Sequence, residues 1–547
     1  MATASVSVVG KRKRDDAALK SARAKRPAIR QEAKSKSGKG NATAADTHKR
    51  TKAQPNKPPG QAADVEQNLQ PKAQAKMNGP KDPVSTNTVA AKQPDGDVYV
   101  QLVTGSYERV LHGISARIPR HLLQATTTTN GDSSEIDDAN GNAVAFSDTF
   151  LFAAHTSSVR CLAISPSTES DKRFLATGSS DERVNVYSIS TAPPTNDKRV
   201  DLPKLTSGTI AENPRNRSLG SLIHHDRAVT RLEFPAKGKL FSASEDNTIA
   251  ISRTRDWTVL SSIKAPIPKP QGRPSGDTAA PGDTPAGVND FAIHPSQKLM
   301  LSVGRGERCL RLWNLMTGKK AGVLNFDRSL LLQVGEGKYS SGEGMQVLWN
   351  GAGDAYVVGF ERGAAVFGID SEPQALIKPS PPTKLHQFRM LQVGDGKLLG
   401  ASTEDGRILF YDLAATTPAD GEKKLPVCTC VAQLGGRDAG VSGRVKDFEI
   451  LSVQLDDPPA QPVLVVVTAS SDGAVRLWRV GEGFHSSTAS EKSPRQVGTL
   501  IGTLETGNRI TCLAAFVLDG KADGKVEEDE DAAGLGAGDE DDSDDEE

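Results

Sequence analysis

The sequence predicts an all-β fold, a seven-bladed β-propeller closed by strands from its two ends, and three observations carry that expectation. A unit recurs along the middle of the chain: a strand-like run, an acid-containing turn, and a second run ending in an aromatic residue. No long amphipathic helix interrupts it, and the stretches between units are rich in Pro, Gly, Asn and Asp, the residues of turns and loops. The length of 547 residues exceeds a single small domain several-fold, as a repeat architecture requires.

The offset from acid to aromatic sets the register. Asp181 is followed six residues later by Tyr187, Glu307 by Trp313, Glu361 by Phe367, Asp405 by Tyr411 and Asp472 by Trp478; Asp246 keeps the register with Ser252 in the aromatic place. In FLATGSSDERVNVYSI, KLFSASEDNTIAI, LLGASTEDGRILFYDL and LVVVTASSDGAVRLWRV, β-branched and aromatic residues flank a tight turn, the pattern of paired strands. Successive turn acids lie 65, 61, 54, 44 and 67 residues apart. A four-stranded blade takes roughly 40–45 residues, so the excess is assigned to insertions, at 191–217, 266–287 and 414–424, with a further one at 119–142.

Six units carry a turn acid, and a seventh is assembled from both ends. Asn508–Val517 reads as a first strand without successors, Tyr99–Ile118 as a second and third strand without a first, and 143–152 as the fourth. Sharing one blade between the two ends removes an open sheet edge that would invite aggregation. The folded region is therefore expected over 98–519, as a monomer.

Charge divides the rest. Residues 1–97 hold 20 Lys/Arg against 9 Asp/Glu, and residues 521–547 hold 2 Lys against 14 Asp/Glu, although the whole chain nets −1. Neither end carries a hydrophobic period, so both 1–97 and 520–547 are expected to be disordered interaction arms. Lys11, Arg12, Lys13 and Arg14, followed by Lys25 and Arg26, have the spacing of a bipartite nuclear-localisation signal. The same residues suit a nonspecific phosphate-binding arm for nucleic acid, which the resemblance given below would make pre-rRNA, and the two roles are compatible. The acidic segment reads as solubilising charge, a competitor for basic partners or a cover for the basic arm, and Ser543 within it as an acidophilic-kinase site.

Cys161, Cys309, Cys428, Cys430 and Cys512 are too few and scattered for a disulfide framework, which points to an intracellular chain. The longest strongly apolar run, Pro462–Thr468, is far shorter than the ~20 residues of a membrane span, and the start of the chain lacks the pattern of a signal peptide. Signatures of serine hydrolases, zincins, P-loop proteins and kinases are absent, so neither an enzyme nor a cofactor is expected. Gly335-x-Gly337 reads as a loop, since Ser340 stands where a dinucleotide fingerprint needs its third Gly. Cys428-x-Cys430, between Val427, Thr429 and Val431, reads as strand rather than as half of a metal site. His155 and His225, each followed some twenty residues later by an Asp, read as parts of an inter-strand hydrogen-bond network rather than as a catalytic pair. Arg160, Arg231, Arg444 and Arg509 recur near the starts of first strands: they form either a basic rim for an acidic peptide or RNA, or scaffold ion pairs with turn acids.

These residues resemble WD40 repeats. In that family a His before the first strand, a Ser/Thr in the second, the turn Asp and the Trp of the third form a hydrogen-bonded set. Position by position, His155, Asp181 and Tyr187 match in one blade, His225 and Asp246 in the next, and Asp472 and Trp478 in a later one; elsewhere the His is missing, with Trp313, Asp405 and Tyr411 at the remaining structural positions. Within the class, VTGSYERVLHGISA, HHDRAVTRLEF, FAIHPSQKLMLSVGRGERCLRLWNL, GRVKDFEI, TASSDGAVRLW and RITCLAAF are similar to the p21-activated-kinase-interacting proteins of animals and their fungal maintenance-of-killer counterparts, over about 98–518. The resemblance implies a nuclear, largely nucleolar, non-enzymatic platform for assembly of the large (60S) ribosomal subunit, working beside a ribosomal-like protein on early pre-60S particles. From the same family comes the alternative, a regulator that binds and inhibits a p21-activated kinase. A ubiquitin-ligase receptor would show Trp-Asp-x-Arg at a blade end, where this chain has LWNL and LWRV.

Overall fold

The computed structural model describes residues 96–124, 143–168, 171–193, 213, 215–268, 286–393, 396–418, 421, 424–455, 462–481, 484 and 494–519. Lys11 to Arg14, Lys25, Arg26, Ser543 and most of 119–142, 191–217 and 266–287 lie outside the described residues.

Strands form where β-branched and aromatic residues run between acid or glycine turns. β1 (Val98–Ser106) and β2 (Val110–Ile118) are followed by a short helix, α1 (Arg120–Gln124), and by β3 (Ala145–Ala153). β4 (Val159–Ile164), β5 (Lys172–Ser179), β6 (Val184–Ser190) and β7 (Arg217–Leu222) make an antiparallel sheet in chain order. So do β8 (Val229–Ala236), β9 (Lys239–Ser244), β10 (Thr248–Arg253) and β11 (Val259–Lys264), then β12 (Val288–Ile293), β13 (Leu299–Gly304), β14 (Cys309–Asn314) and β15 (Lys319–Asn325). The helix α2 (Arg328–Val334) precedes two further meanders. One holds β16 (Gln346–Trp349), β17 (Ala355–Gly359), β18 (Ala364–Gly368) and β19 (Pro373–Ile377); the other holds β20 (Leu385–Val393), β21 (Gly396–Thr403), β22 (Arg407–Thr417) and β23 (Val427–Gly435). A parallel bridge between Leu376 and Val427 joins them. β24 (Val445–Val453), β25 (Val463–Ser470) and β26 (Ala474–Val480) continue, with the two-residue β27 (Arg495–Gln496) beside β23 and β28 (Thr499–Glu505) beside β26. Finally β29 (Ile510–Val517) pairs with β1, so the first sheet runs β29–β1–β2–β3.

Place in the sheet explains composition. Inner strands are buried on both faces and read as continuous apolar runs, as in β25, where Val465, Val466 and Val467 are buried. Each such side chain stabilises the fold by roughly 1.5–3 kcal/mol. Outer strands β7, β11 and β15 are largely exposed, and Lys319 and Lys320 on β15 oppose further pairing at that edge. Apolar clusters fill the spaces between neighbouring sheets: Val103, Leu111 and Phe516 meet Leu175 and Ile189, while Val184 and Val186 meet Val229 and Leu232. The first strands meet in cyclic order, β29 against β4, β4 against β8, β8 against β12, β12 against β16, β16 against β20, β20 against β24 and β24 against β29.

Two local devices position the side chains discussed below. After Asp181, Asp246, Asp405 and Asp472 the next residue is left-handed, Glu182 at φ 71°, Asn247 at 65°, Gly406 at 86° and Gly473 at 93°, which folds the acid back over the turn. First strands also carry a β-bulge near their starts, at Arg160, Thr230, Asn289, Lys446 and Thr511. A bulge re-aims its extra side chain. Four of the five reach a neighbouring sheet: Arg160 pairs with Glu245, and the side chains of Thr230, Asn289 and Thr511 donate to the carbonyls of Val288 (2.7 Å), Gly344 (2.9 Å) and Val159 (2.6 Å).

Candidate functional site

The turn acids are the sites most fully built from local sequence. Asp181 accepts hydrogen bonds from the backbone N–H of Thr156 (2.9 Å) and of Arg183 (3.2 Å), and its Oδ2 lies 3.1 Å from His155 Nδ1. On the other side of the ring, His155 Nε2 lies 2.7 Å from Thr177 Oγ1. An ionised carboxylate only accepts, so Nδ1 carries the proton and Nε2 accepts from the Thr177 hydroxyl. Burial lowers the pKa of His155 despite Asp181, in keeping with a neutral ring. Burial works against the charge of Asp181, but Thr156 and His155 outweigh it and hold the carboxyl below its usual range. Tyr187 stands at the third-strand position, edge-on to Phe152 at 5.7 Å.

The next sheet repeats the arrangement. His225 Nδ1 lies 3.1 Å from Asp246 Oδ2, and Nε2 lies 2.8 Å from Ser242 Oγ. Asp246 also accepts from the N–H of Thr248 (2.7 Å) and of Asp226 (3.1 Å); against the effect of burial, His225 and Thr248 hold it far below the usual carboxylate range. His224 shares Ser242 at 2.9 Å, and burial together with the adjacent His225 lowers its pKa to about 4.

Elsewhere the missing His is replaced. Glu307 pairs with Arg311, whose Nη2 lies 2.6 Å from Oε1, and Trp313 Nε1 donates to Ser302 Oγ at 2.8 Å. The left-handed residue of this turn is Gly306 at φ 74°, before the acid rather than after it. Equal spacing to the aromatic therefore conceals a different place in the turn, and the carboxylate faces the third strand. Asp472 accepts from the N–H of Ala474 (3.1 Å) and faces Arg476 Nη2 at 3.5 Å, while Trp478 Nε1 donates to Thr468 Oγ1 at 3.2 Å. Asp405 is held by Arg407, at 2.7 Å, and by the Thr403 hydroxyl. Tyr411 occupies the aromatic place, but its buried hydroxyl meets no partner among the described residues, and burial pushes its pKa up.

The rim arginines are spread among separate contacts. Arg160 Nη1 pairs with Glu245 at 2.7 Å, Arg231 with Asp290 at 3.3 Å and Arg444 with Glu404 at 2.8 Å. The Arg509 guanidinium instead lies over the Tyr107 ring, 5.7 Å from its centre. Sequence reasoning missed Arg389, whose Nη2 donates to Asp447 at 2.9 Å and to Glu449 at 3.0 Å. The other oxygens of Asp290 and Asp447 accept from the N–H of Val347 (3.0 Å) and of Leu513 (2.9 Å), so each carboxylate ties three first strands together. Burial pushes Asp447 up to about 6 and Glu233 up to about 7, whereas nearby carboxylates overcome burial to keep Arg231 and Arg389 charged.

Chemistry elsewhere is subdued. Burial pushes Cys161 and Cys428 up to about 12 and Cys309 and Cys430 up to about 11, leaving thiols that attack poorly at neutral pH. Cys428 and Cys430 alternate along β23, and among the described residues no group of three or more His, Cys, Asp and Glu is placed to hold a metal. Gly335 and Gly337 lie in a turn and loop, as expected, with Gly335 the left-handed cap of α2, a helix that the turn-rich surroundings concealed.

Comparison with known proteins agrees with the repeat reading. The family model described as "WD domain, G-beta repeat" matches residues 146–188 and 216–251, the stretches that hold both His-to-Asp bridges. The p21-activated protein kinase-interacting protein 1-like of Danio rerio is 28% identical over 369 residues, 68% of this chain and 73% of that protein. Protein MAK11 of Saccharomyces cerevisiae is 25% identical over 440 residues, 76% and 82% of the two chains. Shk1 kinase-binding protein 15 of Schizosaccharomyces pombe is 23% identical over 437 residues, 79% and 88% of the two.

Proposed function

Starting from a chain that carries WD40 repeats and resembles the p21-activated-kinase-interacting proteins, we propose that it is a non-enzymatic scaffold in the assembly of the large ribosomal subunit. The observation that carries this is the resemblance over about 98–518, which takes in the closing strands as well as the repeats; the alignment with MAK11 over 76% of the chain accords with it. In this reading the cyclic contacts of the first strands are those of a seven-bladed propeller spanning 98–519, whose first blade joins β29 to β1–β3. The basic segment with Lys11 to Arg14, Lys25 and Arg26 directs the chain to the nucleus and nucleolus and touches pre-rRNA phosphates, while faces of the propeller hold assembly factors, among them a ribosomal-like protein.

Affinity purification of the tagged full chain from nuclear extract, with and without ribonuclease, tests this. Large-subunit assembly factors and their precursor RNA are the expected yield. A protein kinase with no ribosomal precursor would favour the second reading, a kinase regulator, which rests on relatives named as p21-activated protein kinase-interacting and Shk1 kinase-binding proteins.

A further inference from the structure

Charge around the starts of the first strands is uneven. On the side of β4 and β8 the arginines have partners: Arg160 and Arg305 share Glu245, and Arg231 meets Asp290. On the side of β20, β24 and β29 cations outnumber acids. Lys384 pairs with Glu361, and Arg444 with Glu404, an acid that His386 Nε2 also meets at 2.7 Å. Arg509 offers its guanidinium beside Tyr107, which is 61% exposed. Lys446 is the bulge residue that clasps nothing: half-buried, it has no ion pair or hydrogen-bond acceptor among the described residues. Burial and then the charges of Arg444, Arg509 and Lys384 lower its pKa against the pull of Glu404. An ammonium held in that state gains from any anion placed beside it.

We propose that Lys384, Arg444, Lys446 and Arg509 form a docking surface for an acidic peptide segment of a partner protein, with carboxylates seated on Lys446 and Arg509. This surface stands independently of the ribosome-assembly reading. Glu361 bounds the arc on one side, and Glu108, which accepts the Arg509 N–H at 3.0 Å, bounds it on the other; Glu404 lies within it, between His386 and Arg444. A nucleic-acid backbone, charged at every step, would meet carboxylates at both ends; a peptide can place two or three carboxylates between them. Tyr107 supplies an apolar face for the stems of the peptide's side chains.

The test is fluorescence anisotropy with the full chain at about 50 mM salt, using a labelled peptide of about ten alternating Glu and Ser residues and, in parallel, a single-stranded RNA of the same length. Saturable peptide binding is expected, weakened about ten-fold by Lys446→Gln and by Arg509→Gln, and unchanged by Arg253→Gln, whose side chain pairs with Asp256 away from the rim. Lys446→Gln removes no native partner, so its thermal unfolding should coincide with that of the unmodified chain. Absence of saturable peptide binding, equal peptide binding by Lys446→Gln, or a weakening by Lys446→Gln of RNA binding rather than peptide binding would each overturn the proposal, whereas RNA bound equally by Lys446→Gln and the unmodified chain is held by the basic segment.

Discussion

The sheets β4–β7 and β8–β11 hold their turn acids differently from the sheets built on β12–β15 and on β24–β26 with β28. In the first pair a buried imidazole spans from the acid to a hydroxyl on the second strand, Thr177 or Ser242. In the second pair an arginine four residues after the acid takes the carboxylate, and the equivalent hydroxyl, Ser302 or Thr468, receives the indole N–H of a Trp instead. Register makes the exchange intelligible. The residue opposite the hydroxyl is Asn185 or Ala250 where a His is present, and Arg311 or Arg476 where it is not. One cross-strand position therefore decides which chemistry pins the turn, and the family model matches only the stretches with the imidazole.

Predictions follow the size of that difference. Asp246→Ala strands His225 and two backbone N–H groups, and should destabilise the protein by about 3 kcal/mol in denaturant unfolding; a loss under ~1 kcal/mol would make the His bridge incidental. Arg311→Ala leaves Glu307 without its cation in a largely buried site, with an expected loss of about 2 kcal/mol. Arg476→Ala should cost less, about 1 kcal/mol, because Arg476 stands 3.5 Å from Asp472. If the two arginine substitutions prove equal, contact distance is not what separates these sheets.

The smallest effect is the pH dependence contributed by the buried imidazole of His155. The folded pKa of His155 lies below its ordinary 6.5, so its contribution is complete above that pH and declines as pH falls through the window beneath it. Asp181 and Asp246 are lowered from 3.8, and their contributions are lost only as pH falls from about that value. Asp447, raised to about 6, acts with the opposite sign, gaining stability as pH falls towards its ordinary 3.8. A difference measurement isolates the imidazole: between about pH 7.5 and 5.5, His155→Gln should lose less stability than the unmodified chain. Identical losses would mean that the ring is not held neutral.

Much of this was legible in the residues, for local reasons. Asp181, Asp246, Asp405 and Asp472 sit next to the left-handed residue their turns require, and inner strands announce double-sided burial by unbroken runs such as LVVVTAS. Glu307 was legible only in part, since counting six residues to Trp313 cannot register a turn whose left-handed Gly306 comes first. The arginines were obscure for another reason. Arg311 and Arg476 read as ordinary strand residues until the opposite strand is known, and Arg160 finds Glu245 85 residues away, on another sheet. The doublets Glu245-Asp246 and Glu404-Asp405 were the available signal, one acid serving its own turn and the other serving an arginine beyond it.

The pairing of β29 with β1 also sets a timetable. Arg509 and Glu108 meet across 401 residues of chain, so the hydrogen bonds of that sheet are among the last that synthesis makes available. Until Ile510 to Val517 has emerged, one edge of β1 stands unpaired while the sheets between are already made, and contacts this distant in sequence form slowly. During that interval the waiting edge of β1 is open to a strand of some other protein, a hazard that ends only when β29 covers it.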